Sequence, residues 1–206
     1  MHALIVVAHH DPRSLTHSLV AQVAQGIALD NPGHTIEIAD LSAEGFDPRF
    51  SVADLAVHHR EAPPPADVVA EQARIDRADA VVLVYPVYWW SMPALLKGWI
   101  DRVFVNGWAF EIDPADGMRR KLGGLTVHLV PIAGDSAGVY ERHGYEQSLR
   151  TQIEHGVVDY CGAVRGTTAF VHDSEQEDAA ARAASVDRAV AAVVAAVRGR
   201  APLPVD

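Results

Sequence analysis

The sequence predicts an α/β fold in which an open parallel sheet carries helices on both faces, and three observations lead there. Residues 3–8 and 80–85 are continuous apolar runs of strand length, the pattern of strands covered on both sides. Between such runs lie segments whose apolar residues recur at helical spacing. The alternation of the two continues over the 206 residues and yields five strand candidates.

The first run ends at His9-His10-Asp11, and residues 15–28 follow with Leu19, Val23 and Ile27 four apart, a helical stripe that Asn31-Pro32-Gly33 stops. Thr35-Ile36-Glu37-Ile38-Ala39 alternates and predicts the second strand. Residues 40–60 make a long connection with some helix. Pro63-Pro64-Pro65 lacks helix donors and feeds a helix that Asp67 is placed to cap and that runs to about Arg77. After the third strand, Pro93 suits the first turn of a helix with Leu95, Leu96, Trp99, Ile100, Val103 and Phe104 on one face. Residues 125–130 and 163–171 are the fourth and fifth strands, separated by a helix over 145–160. A last helix spans roughly 175–198 with a valine stripe from Val186 to Val197. One domain over residues 1–206, with a mobile tail from about 199, accounts for the chain. Five strands fit the order 2-1-3-4-5 of the flavodoxin-like doubly wound fold, which places ligands beyond the carboxyl ends of the first and third strands.

Composition narrows the function classes. Hydrophobic residues make up 49% and charged residues 21%, an ordinary globular mix. A formal charge of −10 repels phosphate backbones and anionic lipid, which argues against nucleic-acid and membrane partners. Cys161 is the single cysteine, so there is no disulfide framework or cysteine-rich zinc site, and a reducing, cytoplasmic setting is expected. No basic leader precedes the short first apolar run, and no membrane-length stretch occurs.

Three loops carry the chemistry. His9 to Thr16 opens a helix, where unsatisfied backbone N–H groups and the helix dipole attract anions and Arg13, Ser14 and Thr16 add donors. Ser14 or Thr16 acting only as a helix cap is the plainer alternative. There is no G-x-G-x-x-G and no G-K-[ST], so neither a nicotinamide Rossmann site nor a P-loop is indicated. His9-His10-Asp11 also permits a zinc-dependent deacetylase reading, which lacks a third ligand at a metal-binding spacing. Tyr85, Tyr88, Trp89 and Trp90 crowd the end of the third strand, where a planar ligand would cover them. Opposite an anion clamp, they suit an aromatic ring that bears a phosphate: a flavin nucleotide.

Ala8-His9 with Ser14, Val69-Ala70-Glu71-Gln72 followed by Ala78-Asp79, and above all the run from Tyr85-Pro86-Val87-Tyr88-Trp89-Trp90 to Asp101-Arg102-Val103-Phe104 resemble the flavodoxin-like NAD(P)H:quinone oxidoreductases of the DT-diaphorase type. The resemblance implies a homodimer with flavin at the subunit interface and ping-pong hydride transfer from NAD(P)H to quinone-like acceptors. It places His9, Ser14, Leu15 and Thr16 at the cofactor's phosphate side, and Pro86, Val87, Tyr88, Trp89 and Trp90 along the isoalloxazine. It puts Gln72 and Arg182 near the nucleotide end, which favours FAD over FMN, and Trp108 and Phe110 over the partner's site. After the fourth strand the family has Thr-Thr-Gly-Gly, whereas this chain has Ala133-Gly134-Asp135, which keeps the close approach of Gly134 without two hydroxyls. Tyr140 matches the family's active-site tyrosine, and His143 stands nearer to it in sequence than the family's histidine. Relatives that regulate a potassium efflux channel supply an accessory-subunit alternative. A one-electron carrier is disfavoured because the Thr/Ser-x-Thr-Gly-x-Thr phosphate loop of flavodoxins is missing.

Overall fold

The computed structural model describes residues 1–113, 115 and 117–198. The expected tail from about 199 lies outside them. β1 (His2–Val7) and β3 (Ala80–Pro86) are the two apolar runs, almost entirely buried because both faces are covered. Together with β2 (Thr35–Asp40), β6 (Thr126–Ile132) and β7 (Val164–Thr168) they build a parallel sheet in the order β2-β1-β3-β6-β7, the expected 2-1-3-4-5 pattern. The register shifts between Val127 and Leu129 where β6 meets β7, and pairing resumes at Ile132 and Val171. The short antiparallel hairpin of β4 (Phe110–Asp113) and β5 (Gly117–Arg120) escapes the sequence reading, because its second strand is exposed and carries no apolar alternation.

Two cores flank the sheet. On one face α1 (Leu15–Asp30) and α7 (Ala179–Arg198) bury Leu19, Val23, Val186 and Val193 against Ile5, Val82 and Val130. On the other, α3 (Ala66–Asp76) and α4 (Ala94–Val103) bring Ile75, Leu96 and Trp99 onto Leu4, Leu83 and Leu129. The helix expected over 145–160 is α6 (Tyr145–Arg150) running into a π-helical stretch, Thr151–Asp159. α5 (Ala137–His143) stands where only a loop is expected, capped by Ser136, which accepts from the Val139 N–H.

The connection 41–51 packs across α4: a Cβ on Gly98 would fall inside the Pro48 carbonyl. α2 (Val52–His58) follows, and its capping-box residue Asp54 meets Arg102 of α4 at 3.0 Å with both side chains buried. Asp67 is not the cap of α3. Pro65 occupies that position, and Asp67 reaches Arg102 at 2.6 Å instead. No helix among the described residues is long and apolar enough to cross a membrane.

Candidate active site

The carboxyl ends of β1, β3 and β6 bring three loops together at the point where strand order reverses. After β1, Ser14 caps α1 with φ −67° and ψ 160°, its hydroxyl accepting from the His17 N–H at 3.3 Å. The Leu15 and Thr16 N–H groups have no protein partner among the described residues. Thr16 is buried, so it offers backbone and not hydroxyl. Arg13 swings out, its side chain 90% exposed and paired with Asp11 at 3.4 Å. His9 stacks on His10 at 4.7 Å and meets His17 edge-on at 6.2 Å. Burial, then His10 and His17, push its pKa below the ordinary imidazole value, so it is neutral at neutral pH.

After β3, the Val87 N–H is tied to the Ile132 carbonyl at 2.8 Å, and Tyr88 and Ser91 exchange hydrogen bonds of 3.0 and 3.1 Å. Between them Trp89 (φ 48°) and Trp90 (φ 62°) take the two left-handed positions of a type I′ turn. Such conformations in bulky residues are strained and cluster at functional sites. Trp89 is 93% exposed. Trp90 lies flat on Tyr145, with ring centroids 3.7 Å apart. Neither tryptophan N–H has a protein partner among the described residues.

After β6, the chain is pinned to β7's extension by Ala133 N–H to Val171 O at 2.8 Å. Gly134 packs close beneath the Glu175 side chain, whose carboxyl carbon would lie 3.1 Å from a Cβ at this position. Tyr140 of α5 is buried, its ring edge-on to Trp90, Tyr145, Phe170 and His172 at 5.0–5.9 Å. Burial, reinforced by Asp135, pushes its hydroxyl up to about 12, so it is a neutral donor through the physiological range. Val87, Trp89, Trp90, Gly134, Tyr140 and Glu175 line a pocket of about 270 Å³.

The structure rearranges several expected site residues. His143 is exposed and stacks on Tyr145 at 5.1 Å, so it does not meet the Tyr140 ring. His172 does, at 5.0 Å, and burial lowers its pKa. It escapes the sequence reading because it follows the fifth strand, outside the loops the fold rule selects. Gln72 is withdrawn into the core between α3 and α4, where its amide donates to the Val103 carbonyl at 3.0 Å. Phe110 is buried within its own subunit against Tyr160, and Trp108 packs on Phe104 and donates to Asp76 at 3.0 Å. The burial of Phe110 therefore requires no second subunit, whereas Trp108 stays half-buried. Arg182 borders a second cleft, about 330 Å³, between α1 and α7, which also touches Leu15, Ser18 and Gln22. Among the described residues no group of three or more His, Cys, Asp or Glu side chains is placed to hold a metal, so the deacetylase reading gains no third ligand.

An open sheet of this order with a crevice at β1 and β3 defines a flavodoxin-like protein, and the chain belongs to that family: its model, described as flavodoxin-like fold, matches residues 1–195. Within it, the chain is 33% identical over 181 residues, 77% of this chain and 76% of the relative, to a ribosyldihydronicotinamide dehydrogenase [quinone] of Pongo abelii. It is 27% identical to NAD(P)H dehydrogenase [quinone] 1 of Cavia porcellus, over 78% of this chain and 64% of that one. Among solved structures, an NAD(P)H:quinone oxidoreductase from Methanothermobacter marburgensis superposes with a TM-score of 0.85 at 27% identity, covering 94% of this chain and 98% of the other.

Proposed function

We propose that the protein is a flavin-dependent NAD(P)H:quinone oxidoreductase, with FAD the preferred cofactor. The observation that carries the reading is the convergence, at one rim of the sheet, of unpaired N–H groups from Leu15 and Thr16 and from Trp89 and Trp90 beside an aromatic-lined pocket. The first pair, at a helix N-terminus, suits a phosphate, and the second suits the polar edge of a planar ring. The residues present therefore fit a flavin nucleotide. When bound, the flavin supplies the hydride chemistry between NAD(P)H and the acceptor.

The chain's own residues bind, orient and donate. Ser14, Leu15 and Thr16 hold the phosphate, with His9 and Arg13 at its rim. Pro86, Val87, Tyr88, Trp89 and Trp90 with Gly134 frame the ring. Tyr140 presents a neutral O–H where negative charge develops, an interaction that favours the transition state over the ground state. The cleft between α1 and α7, with Arg182 on its edge, continues from Leu15 and has room for an adenylate, which supports FAD. A homodimer belongs to the reading: Trp89 stands almost fully exposed at the pocket's edge, where a second subunit would cover it.

The test is an absorption spectrum of the purified protein, extraction of its pigment, and steady-state reduction of a benzoquinone by NADH and NADPH. A yellow protein that releases FAD and turns over the quinone is the expected result. A folded preparation that stays colourless after incubation with FAD and with FMN overturns the reading, and sedimentation of an active monomer at micromolar concentration overturns the dimer.

A further inference from the structure

Ser14, His17 and Asp40 form a continuous hydrogen-bonded chain behind the proposed phosphate site. Ser14 Oγ is 2.9 Å from His17 Nδ1, and His17 Nε2 is 2.9 Å from Asp40 Oδ2. The His17 and Asp40 side chains are largely shielded, 17% and 23% exposed. Asp40, at the end of β2, also accepts the Ser42 and Ala43 N–H groups on its other oxygen. Burial works against its charge, but the Ala43 N–H, the His17 ring and the Ser42 N–H together hold its pKa below the usual carboxylate range. Capping α1 requires only that Ser14 accept the His17 N–H; it does not require an imidazole behind the hydroxyl.

Counting protons on this chain has a consequence for anion binding. An ionised carboxylate only accepts, so His17 Nε2 carries a hydrogen. In the neutral imidazole Nδ1 is then an acceptor, and the single Ser14 O–H is spent on it. In that state Ser14 has no hydrogen to give a phosphate. For Ser14 to donate outward, Nδ1 must hold a proton and donate to Oγ, and His17 is then an imidazolium against Asp40.

We propose that His17 is a positioning residue that turns the Ser14 hydroxyl toward the cofactor phosphate by taking up one proton, so that binding of a phosphate-bearing flavin is coupled to protonation of His17. The inference rests on the flavin reading above. The other titratable groups facing His17 are few. His9 meets its ring edge-on and carries His10 stacked behind it. Asp11 and Arg13 pair with each other at the exposed rim, Asp40 approaches from β2, and α1 brings no acidic residue to its first turn. The imidazolium is therefore the cation nearest the Ser14 hydroxyl and places its charge behind the anion.

FAD is the suitable probe because its pyrophosphate keeps a constant charge near neutrality, whereas a phosphate monoester titrates near pH 6 and would blur the result. Affinities of the apoprotein for FAD and for riboflavin, which lacks phosphate, are measured from pH 6 to 8.5 by flavin fluorescence. The expected result is FAD affinity falling toward tenfold per pH unit on the alkaline side, riboflavin affinity flat, and the FAD slope abolished in His17→Asn, whose amide donates without titrating. Should that variant misfold, calorimetry of the wild type in buffers of different ionisation enthalpy reads the same linkage as net proton uptake on FAD binding. A flat FAD profile, a slope that survives His17→Asn, or no proton uptake overturns the coupling while leaving the flavin reading intact. Failure of both flavins to bind at any pH overturns that reading and the coupling with it.

Discussion

Replacing Tyr140 by phenylalanine removes one hydroxyl and keeps a ring that four neighbours hold in place. The contacts with Trp90, Tyr145, Phe170 and His172 are ring contacts, so the variant retains its packing and its melting temperature moves little. What is lost is a donor at the pocket wall, a change that costs roughly tenfold to a thousandfold in rate, or about 1.4–4 kcal/mol of transition-state stabilisation. Because the hydroxyl is pushed up to about 12, it keeps its proton between pH 6 and 9, and the ratio of wild-type to variant rate stays constant over that range. The sign of the linkage is the ordinary one for a phenol buried neutral: its contribution to stability is present below pH 10 and is lost as pH rises through about 12. Stopped-flow reduction of the bound flavin by NAD(P)H is the assay, with flavin content measured in parallel. His143→Ala is the control, since an exposed ring stacked on Tyr145 should leave the rate within about twofold, whereas losing one catalytic donor costs roughly tenfold or more. Wild-type reduction by Tyr140→Phe, or a loss in His143→Ala equal to that of Tyr140→Phe, would refute the assignment.

Three further outcomes follow from the packing. Asp54→Asn leaves Arg102 buried with one partner fewer and should destabilise the fold by about 3–5 kcal/mol in urea titration, the range for breaking a buried ion pair. In the wild type, burial raises the Asp54 pKa but the Ser51 donors and Arg102 lower it further, so the pair's contribution is full above the ordinary carboxylate pKa and is lost progressively as pH falls through the lowered folded-state value; the difference in urea midpoint between wild type and variant should be smaller at pH 3 than at pH 7. Gly98→Ala drives a methyl group into the Pro48 carbonyl and should cost about 1–3 kcal/mol, read as a lowered melting temperature, and an unchanged melt would mean that the 41–51 connection yields freely. Arg182→Ala should weaken FAD more than FMN; equal losses for the two flavins would remove the adenylate from the cleft between α1 and α7.

The sheet was legible in the sequence because its central strands are buried on both faces and read as unbroken apolar runs. Strand order then selected the three loops, and all three meet at the crevice. What stayed illegible is tertiary. Nothing local distinguishes a glutamine that faces a ligand from Gln72, whose amide is consumed by the end of a neighbouring helix. Phe110 reads as an exposed aromatic past a helix until the hairpin folds it onto Tyr160. His143 is nearer to Tyr140 in sequence than His172 is, yet α5 carries His143 outward while the segment after β7 returns His172 to the Tyr140 ring. Sequence distance was the misleading signal in both directions.

The turn at Trp89 and Trp90 bears on any effort to make this protein more robust. A two-residue hairpin turn of this kind is met at lowest cost by Asn-Gly, so a search for stabilising substitutions would nominate these two positions early. The same exchange would strip the pocket of its outermost wall and of the ring that lies on Tyr145. Thermal tolerance and catalytic competence are thus set against each other at two adjacent residues, and heat-hardened variants that retain turnover should carry their changes elsewhere.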